Sequence, residues 1–118
     1  MQNDLSKRLF TFSVSVIKFV RTLPFQVEYK VINYQLIKSA TSAGANYEEA
    51  QAGISKADFT NKVRIALKEM KETNYWLRII KEIIDPSSVD IENLTSLIDE
   101  SLALNKILGS IVTRSKNT

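Results

Sequence analysis

The chain has 118 residues, 44% of them apolar, which is one domain's worth of core-forming side chains and leaves little room for a second unit. Cysteine and histidine are both absent, so disulfides, thiolate zinc or iron-sulfur sites and catalysis built on imidazole are all excluded. The formal charge of +3 and a pI near 9.2 permit contact with nucleic acid without requiring it.

Three glycines and two prolines divide the sequence into four periodic segments. The first, about residues 4–22, carries Leu5, Leu9, Phe12, Val16, Phe19 and Leu23 at alternating spacings of four and three, the seam of a bundle helix. Its FTFSVSVIKFV stretch also reads as an alternating strand, but the four-three register runs straight through it. Pro24 ends the segment. No signal peptide is visible in MQNDLSKRLF and no stretch approaches a membrane span, so cytoplasmic residence is the expectation.

The second segment, about 25–52, runs through Val27, Val31 and Tyr34 and then along Leu36, Ala40, Ala43, Tyr47 and Ala50. Small residues Ala40, Ala43, Gly44 and Ala45 predict the tightest helix crossing in its later half. The third, about 56–84, opens on Ser55 as a cap, with Asp58 three residues on. Phe59, Val63, Ala66, Met70, Thr73, Leu77, Ile80 and Ile84 make the clearest heptad of the chain, and Ile65, Trp76, Ile79 and Ile83 widen it on one side. Trp76 reads as core or subunit interface. Asp85-Pro86 closes the helix.

Ser88 or Asp90 caps the fourth segment, about 90–114, whose apolar residues cover more than one face. Such breadth predicts a helix touching two neighbours, within the bundle or in a second subunit. The tail from Arg114 onward is expected to fray. Short connections force sequential helices to run antiparallel, so the fold class is all-α, an up-down-up-down antiparallel four-helix bundle in a single domain.

Two constellations stand out from this frame. Ser42, Asn46 and Glu49 fall on one face of the second helix, and Glu69 and Glu72 interrupt the Ile65-Trp76 flank of the third. Carboxylates from facing bundle helices can hold metals, but that chemistry pairs glutamate with a histidine three residues on, and there is none. These five residues are therefore expected to form a structural polar layer, with no metal and no cofactor.

On another face of the third helix Arg64, Lys68, Lys71, Tyr75 and Arg78 follow at spacings of four, three, four and three. The cations suit phosphates and Tyr75 suits stacking on an unpaired base, which makes this row the candidate nucleic-acid site. The plain alternative is a solvated face neutralised by intrahelical pairs such as Lys68 with Glu72 and Arg78 with Glu82. No nucleophile has a visible base and no phosphate loop occurs, so neither an enzyme nor a small-molecule substrate is expected.

The stretch SATSAGANYEEAQAGISKADFTNKVRIALKEMKETNYW resembles the signature of the bacterial four-helix bundle proteins encoded in 23S rRNA intervening sequences. Its core is Ser42, Asn46 and Glu49, then Ser55, Phe59, the IALKE run and Glu72. Gly44 stands where many members have proline. The family is related to the accessory protein of diversity-generating retroelements, a five-subunit barrel with a basic, nucleic-acid-binding surface. The resemblance thus implies a non-catalytic homo-oligomer, a pentamer, that contacts RNA or DNA and is associated with the ribosome or its RNA. A protein-interaction scaffold, binding a mobile-element or ribosome-related partner through the fourth helix, is the competing expectation.

Overall fold

The computed structural model describes residues 4–116. Four helices follow in order: α1 (Asp4–Val20), α2 (Val27–Gln51), α3 (Lys56–Ile83) and α4 (Ile91–Lys116), with a single 3-10 turn over Pro86–Ser88. They form a rod with extents of 48 × 22 × 21 Å, in which α1 lies against α2, α2 against α3, α3 against α4 and α4 back against α1. Among the described residues no helix is long and apolar enough to cross a membrane.

Paired contacts fix the directions. Ser39 of α2 meets Thr73 of α3, while Glu49, further along α2, meets Lys62, further back along α3. Between α1 and α2, Ser13 donates to the carbonyl of Ala40, and Leu9 lies beside Gly44. In both pairs one chain rises as the other falls, giving the up-and-down arrangement that short connections impose.

Local chemistry sets most helix ends. The Ser55 hydroxyl accepts the Asp58 N–H at 3.1 Å, and at the head of α4 it is Asp90, not Ser88, that caps, accepting the Asn93 N–H at 3.1 Å. Asp85 accepts both the N–H and the hydroxyl of Ser87, which holds its carboxyl below the usual range, and Pro86 prevents α3 from continuing. Thr22 donates to the carbonyl of Phe19, so α1 stops at Val20, before the proline, and Leu23 folds back into the core.

The core follows the four-three seams in α1 and α3, with Leu9, Phe12, Val16 and Phe19 of α1 and Val63, Met70, Leu77 and Ile80 of α3 in one buried cluster. The strand alternative for FTFSVSVIKFV fails, since the whole stretch lies in α1, where Ser13 is buried and satisfied by the Ala40 carbonyl.

Two expectations, the inward row in the first half of α2 and the end of α4, need correction. In the first half of α2 the inward row is Tyr29, Ile32 and Leu36, whereas Val27, Val31 and Tyr34 point outward. Both rows have helical spacing, and periodicity cannot say which of two rows faces in. The breadth of α4 meets two neighbours within the bundle, the first of its two expected settings: Leu94, Leu97, Leu104 and Leu108 are buried between α3 and α1, leaving Leu102 as its large exposed apolar side chain. Finally, the tail does not fray at Arg114, since α4 remains helical to Lys116, and its last two residues lie outside the described part.

The small-residue stretch of α2 sits at the crossing with α1. Ala40, Ala43 and Gly44 are buried, while Ala45 faces out. A Cβ built on Gly44 would lie 3.6 Å from the Leu9 Cβ and 3.7 Å from the Ser13 hydroxyl, ordinary contact distances. Gly44→Ala should therefore raise the unfolding free energy by about 0.5–1 kcal/mol, because a mid-helix glycine costs that much in backbone entropy. Urea denaturation of the variant checks this, and destabilisation would mean that α1 approaches more closely than the contact distances state.

Candidate nucleic-acid interface

All five members of the α3 row, Arg64, Lys68, Lys71, Tyr75 and Arg78, are exposed. At 1.5 Å per residue they line roughly 21 Å of one face, enough to follow several consecutive phosphates. The row is on the outside because the opposite face of α3, with Ala66, Met70, Thr73, Leu77 and Ile80, is fully buried.

The intrahelical ion pairs that would neutralise the row do not form. Among the described residues the ion pairs are Arg8 with Glu100 and Lys62 with Glu49, neither on the row. Glu72 instead accepts the Trp76 indole N–H at 3.0 Å. Arg78 turns its Nε to the Asn74 side-chain oxygen at 2.8 Å, and Asn74 in turn donates to the Ser101 hydroxyl of α4 at 2.9 Å. One edge of the guanidinium is thereby anchored.

Next to it the Arg78 guanidinium lies 5.8 Å from the centre of the Tyr75 ring, and Tyr75 meets Trp76 edge-on with centroids 5.2 Å apart. Tyr75 is 49% exposed, so one end of the row carries an aromatic surface held in place by a cation and by a half-buried tryptophan.

The five residues expected to form a polar layer do not build one shared inter-helix network. Asn46 donates to the Ser42 carbonyl and hydroxyl within α2, and Glu72 is engaged within α3. Glu49 is exposed and bridges to Lys62, a bond that raises the Lys62 pKa. Glu69 is half-buried and contributes its carbonyl to the Thr73 hydroxyl. Among the described residues no group of three acidic side chains converges as a metal site would require.

A buried polar layer exists elsewhere. Ser13 reaches the Ala40 carbonyl, Ser39 meets Thr73 at 2.8 Å, and Asn74 reaches Ser101, so neighbouring residues of each helix tie all four helices at one level. Ser13, Ser39, Thr73, Asn74 and Ser101 are all buried. Only Thr73 falls in a row recognisable beforehand. The available signal for the others was a serine or asparagine at a core position of the heptad, which requires knowing the inward row first. Because each buried polar group has a partner on the adjacent helix, sliding one helix along another would orphan several of them, and the layer fixes register.

Arg8 of α1 and Glu100 of α4 form a two-bonded pair at 2.6 and 2.8 Å, which raises the Arg8 pKa chiefly through the hydrogen bond. Glu100, with Glu92 and Asp99, also lines a groove of about 760 Å³ between these helices.

The sequence profile of the 23S rRNA-intervening sequence proteins matches residues 1–109. A solved structure from Bacteroides thetaiotaomicron, described as a protein with unknown function from the S23 ribosomal protein family, superimposes with a TM-score of 0.78. Its sequence is 35% identical, and the match covers 92% of this chain and 97% of that one. No curated protein matches.

Proposed function

Because the chain belongs to the family of 23S rRNA-intervening sequence proteins, we propose that it is a non-enzymatic, oligomeric bundle protein of the cytoplasm that binds RNA through the exposed α3 row. The family name makes 23S ribosomal RNA the first candidate. The observation that carries this reading is the row itself: Arg64, Lys68, Lys71 and Arg78 are exposed on one face and free of carboxylate partners within ion-pair distance among the described residues. Solvated lysines are common on bundles, but an arginine fixed against an aromatic at one end of the row matches the needs of a phosphate next to an unstacked base. A ring of subunits, five by the family resemblance, would repeat the row around its surface and multiply a weak single contact.

Electrophoretic shift with fragments of 23S rRNA tests the reading. With four phosphate contacts the logarithm of affinity should fall with the logarithm of salt at a slope of about −3, or about 50-fold between 50 and 200 mM. Absence of any shift at low salt rejects RNA binding.

A further inference from the structure

The outward row of α2 is not the ordinary scatter of surface apolar residues. Phe25 is 105% exposed, Val27 79% and Tyr34 63%, all within ten residues. Beside them, where α1 gives way to α2, opens a cleft of about 840 Å³. Phe25, Val27 and Tyr29 supply apolar wall, Arg21 and Lys30 supply charge, and no carboxylate lines it. Asn33 also lines this cleft, and its side-chain oxygen is buried without a hydrogen-bond partner. An apolar cleft with a cationic edge and an unanswered acceptor suits a chain segment that brings apolar side chains, carboxylates and a free N–H.

The same chain carries such a segment. From Glu82 to Glu92 the sequence EIIDPSSVDIE holds four carboxylates and no cation. It spans the α3–α4 connection, where Ile83 is 47% exposed and Pro86 is exposed. In an up-down-up-down bundle the α1–α2 and α3–α4 connections lie at the same end. Because the helices are ordered α1, α2, α3, α4 around the rod, the two connections lie on opposite sides of it. Bundles standing side by side and related by rotation about a parallel axis therefore bring the cleft of one to the acidic connection of the next, at the same height. A cleft on one side and its complement on the other is the geometry of a heterologous contact, not of an isologous dimer.

We propose that the cleft between α1 and α2 receives the acidic α3–α4 connection of a second copy of this chain, and that this contact joins subunits into a ring. The inference rests on the oligomeric reading above and gives it a surface. Arg21 and Lys30 face Glu82, Asp85, Asp90 and Glu92 across the contact, Ile83 and Pro86 pack near Phe25, and a main-chain N–H of the connection answers Asn33.

Light scattering on the full chain tests it. Arg21→Glu with Lys30→Glu, and separately Glu82→Lys with Glu92→Lys, should each weaken assembly at least tenfold, while all four reversals together restore it. None of these four side chains caps a helix, and circular dichroism confirms that each variant stays folded. As a second measurement on a chain that has no cysteine of its own, Phe25→Cys and Pro86→Cys variants should cross-link to each other on mixing faster than either does to itself. A wild-type chain that remains monomeric at the highest concentrations reached overturns both the oligomer and this contact. An oligomer whose mass ignores all the reversals, and whose mixed cross-link has no advantage, keeps the oligomer and overturns the contact.

Discussion

Leu104→Ala is expected to lower the unfolding free energy by about 3 kcal/mol, against less than about 0.5 kcal/mol for Leu102→Ala two residues earlier on the same helix. Leu104 has no accessible surface, whereas Leu102 is 49% exposed. Truncating the first removes three buried carbon atoms and leaves a cavity that rigid neighbours on α1 and α3 cannot fill. Truncating the second mostly exchanges exposed surface for water. Urea denaturation of both variants in parallel reads the difference directly. Equal effects would mean that α4 is rotated about its axis relative to its described orientation, and the register tie between Asn74 and Ser101 would be lost with it. The pair also bears on the scaffold reading of α4. Leu104, being inside, cannot be offered to a partner, so substitutions there test stability and not docking.

The second large effect concerns RNA. Lys68→Glu with Lys71→Glu should lower affinity for the rRNA fragments on the order of 100-fold at low salt and flatten the salt slope by about 2, because two phosphate contacts are lost and two repulsive ones are added. Tyr75→Ala should act differently. Loss of a stacking surface costs about 1–3 kcal/mol on single-stranded RNA and leaves the slope unchanged, since no counterion release is involved. All three residues are exposed, so the folded state should persist in both variants. If both variants weaken binding with the same change of slope, Tyr75 contributes no stacking. If neither weakens it, the α3 row is an ordinary solvated face and RNA meets the protein elsewhere.

Arg78 links these two experiments to the fold. Its Nε is held by Asn74, and Asn74 is held by Ser101, so this cation of the row is positioned by the same buried layer that sets helix register. A change at Ser101, far from any surface, would thus reach the row through Asn74. This continuity between the inner layer and the outer row could not be read beforehand. Asn74 sits between the heptad residues Thr73 and Leu77 in a sequence that gives no sign of which way it turns.

What the sequence determined by itself was everything that depends on local repetition. The four segments, their breaks at Pro24, Gly53 and Pro86, the cap at Ser55 and the inward row of α3 all follow from spacings and from residues that cannot continue a helix. The exposure of the Arg64-to-Arg78 row followed too, since a heptad that strong leaves no other face for it.

Tertiary structure decided what repetition leaves degenerate. In α2 the rows Val27-Val31-Tyr34 and Tyr29-Ile32-Leu36 have the same helical spacing, and only the demand of α1 and α3 for a place to pack chose the second. In α4 too many apolar residues left the inward face ambiguous until two neighbours claimed it. The polar layer moved from Ser42, Asn46, Glu49, Glu69 and Glu72 to Ser13, Ser39, Thr73, Asn74 and Ser101 for the same reason. A hydrogen bond between helices depends on how far one is slid and turned against the other, and that offset is a property of the assembled core, absent from any single helix.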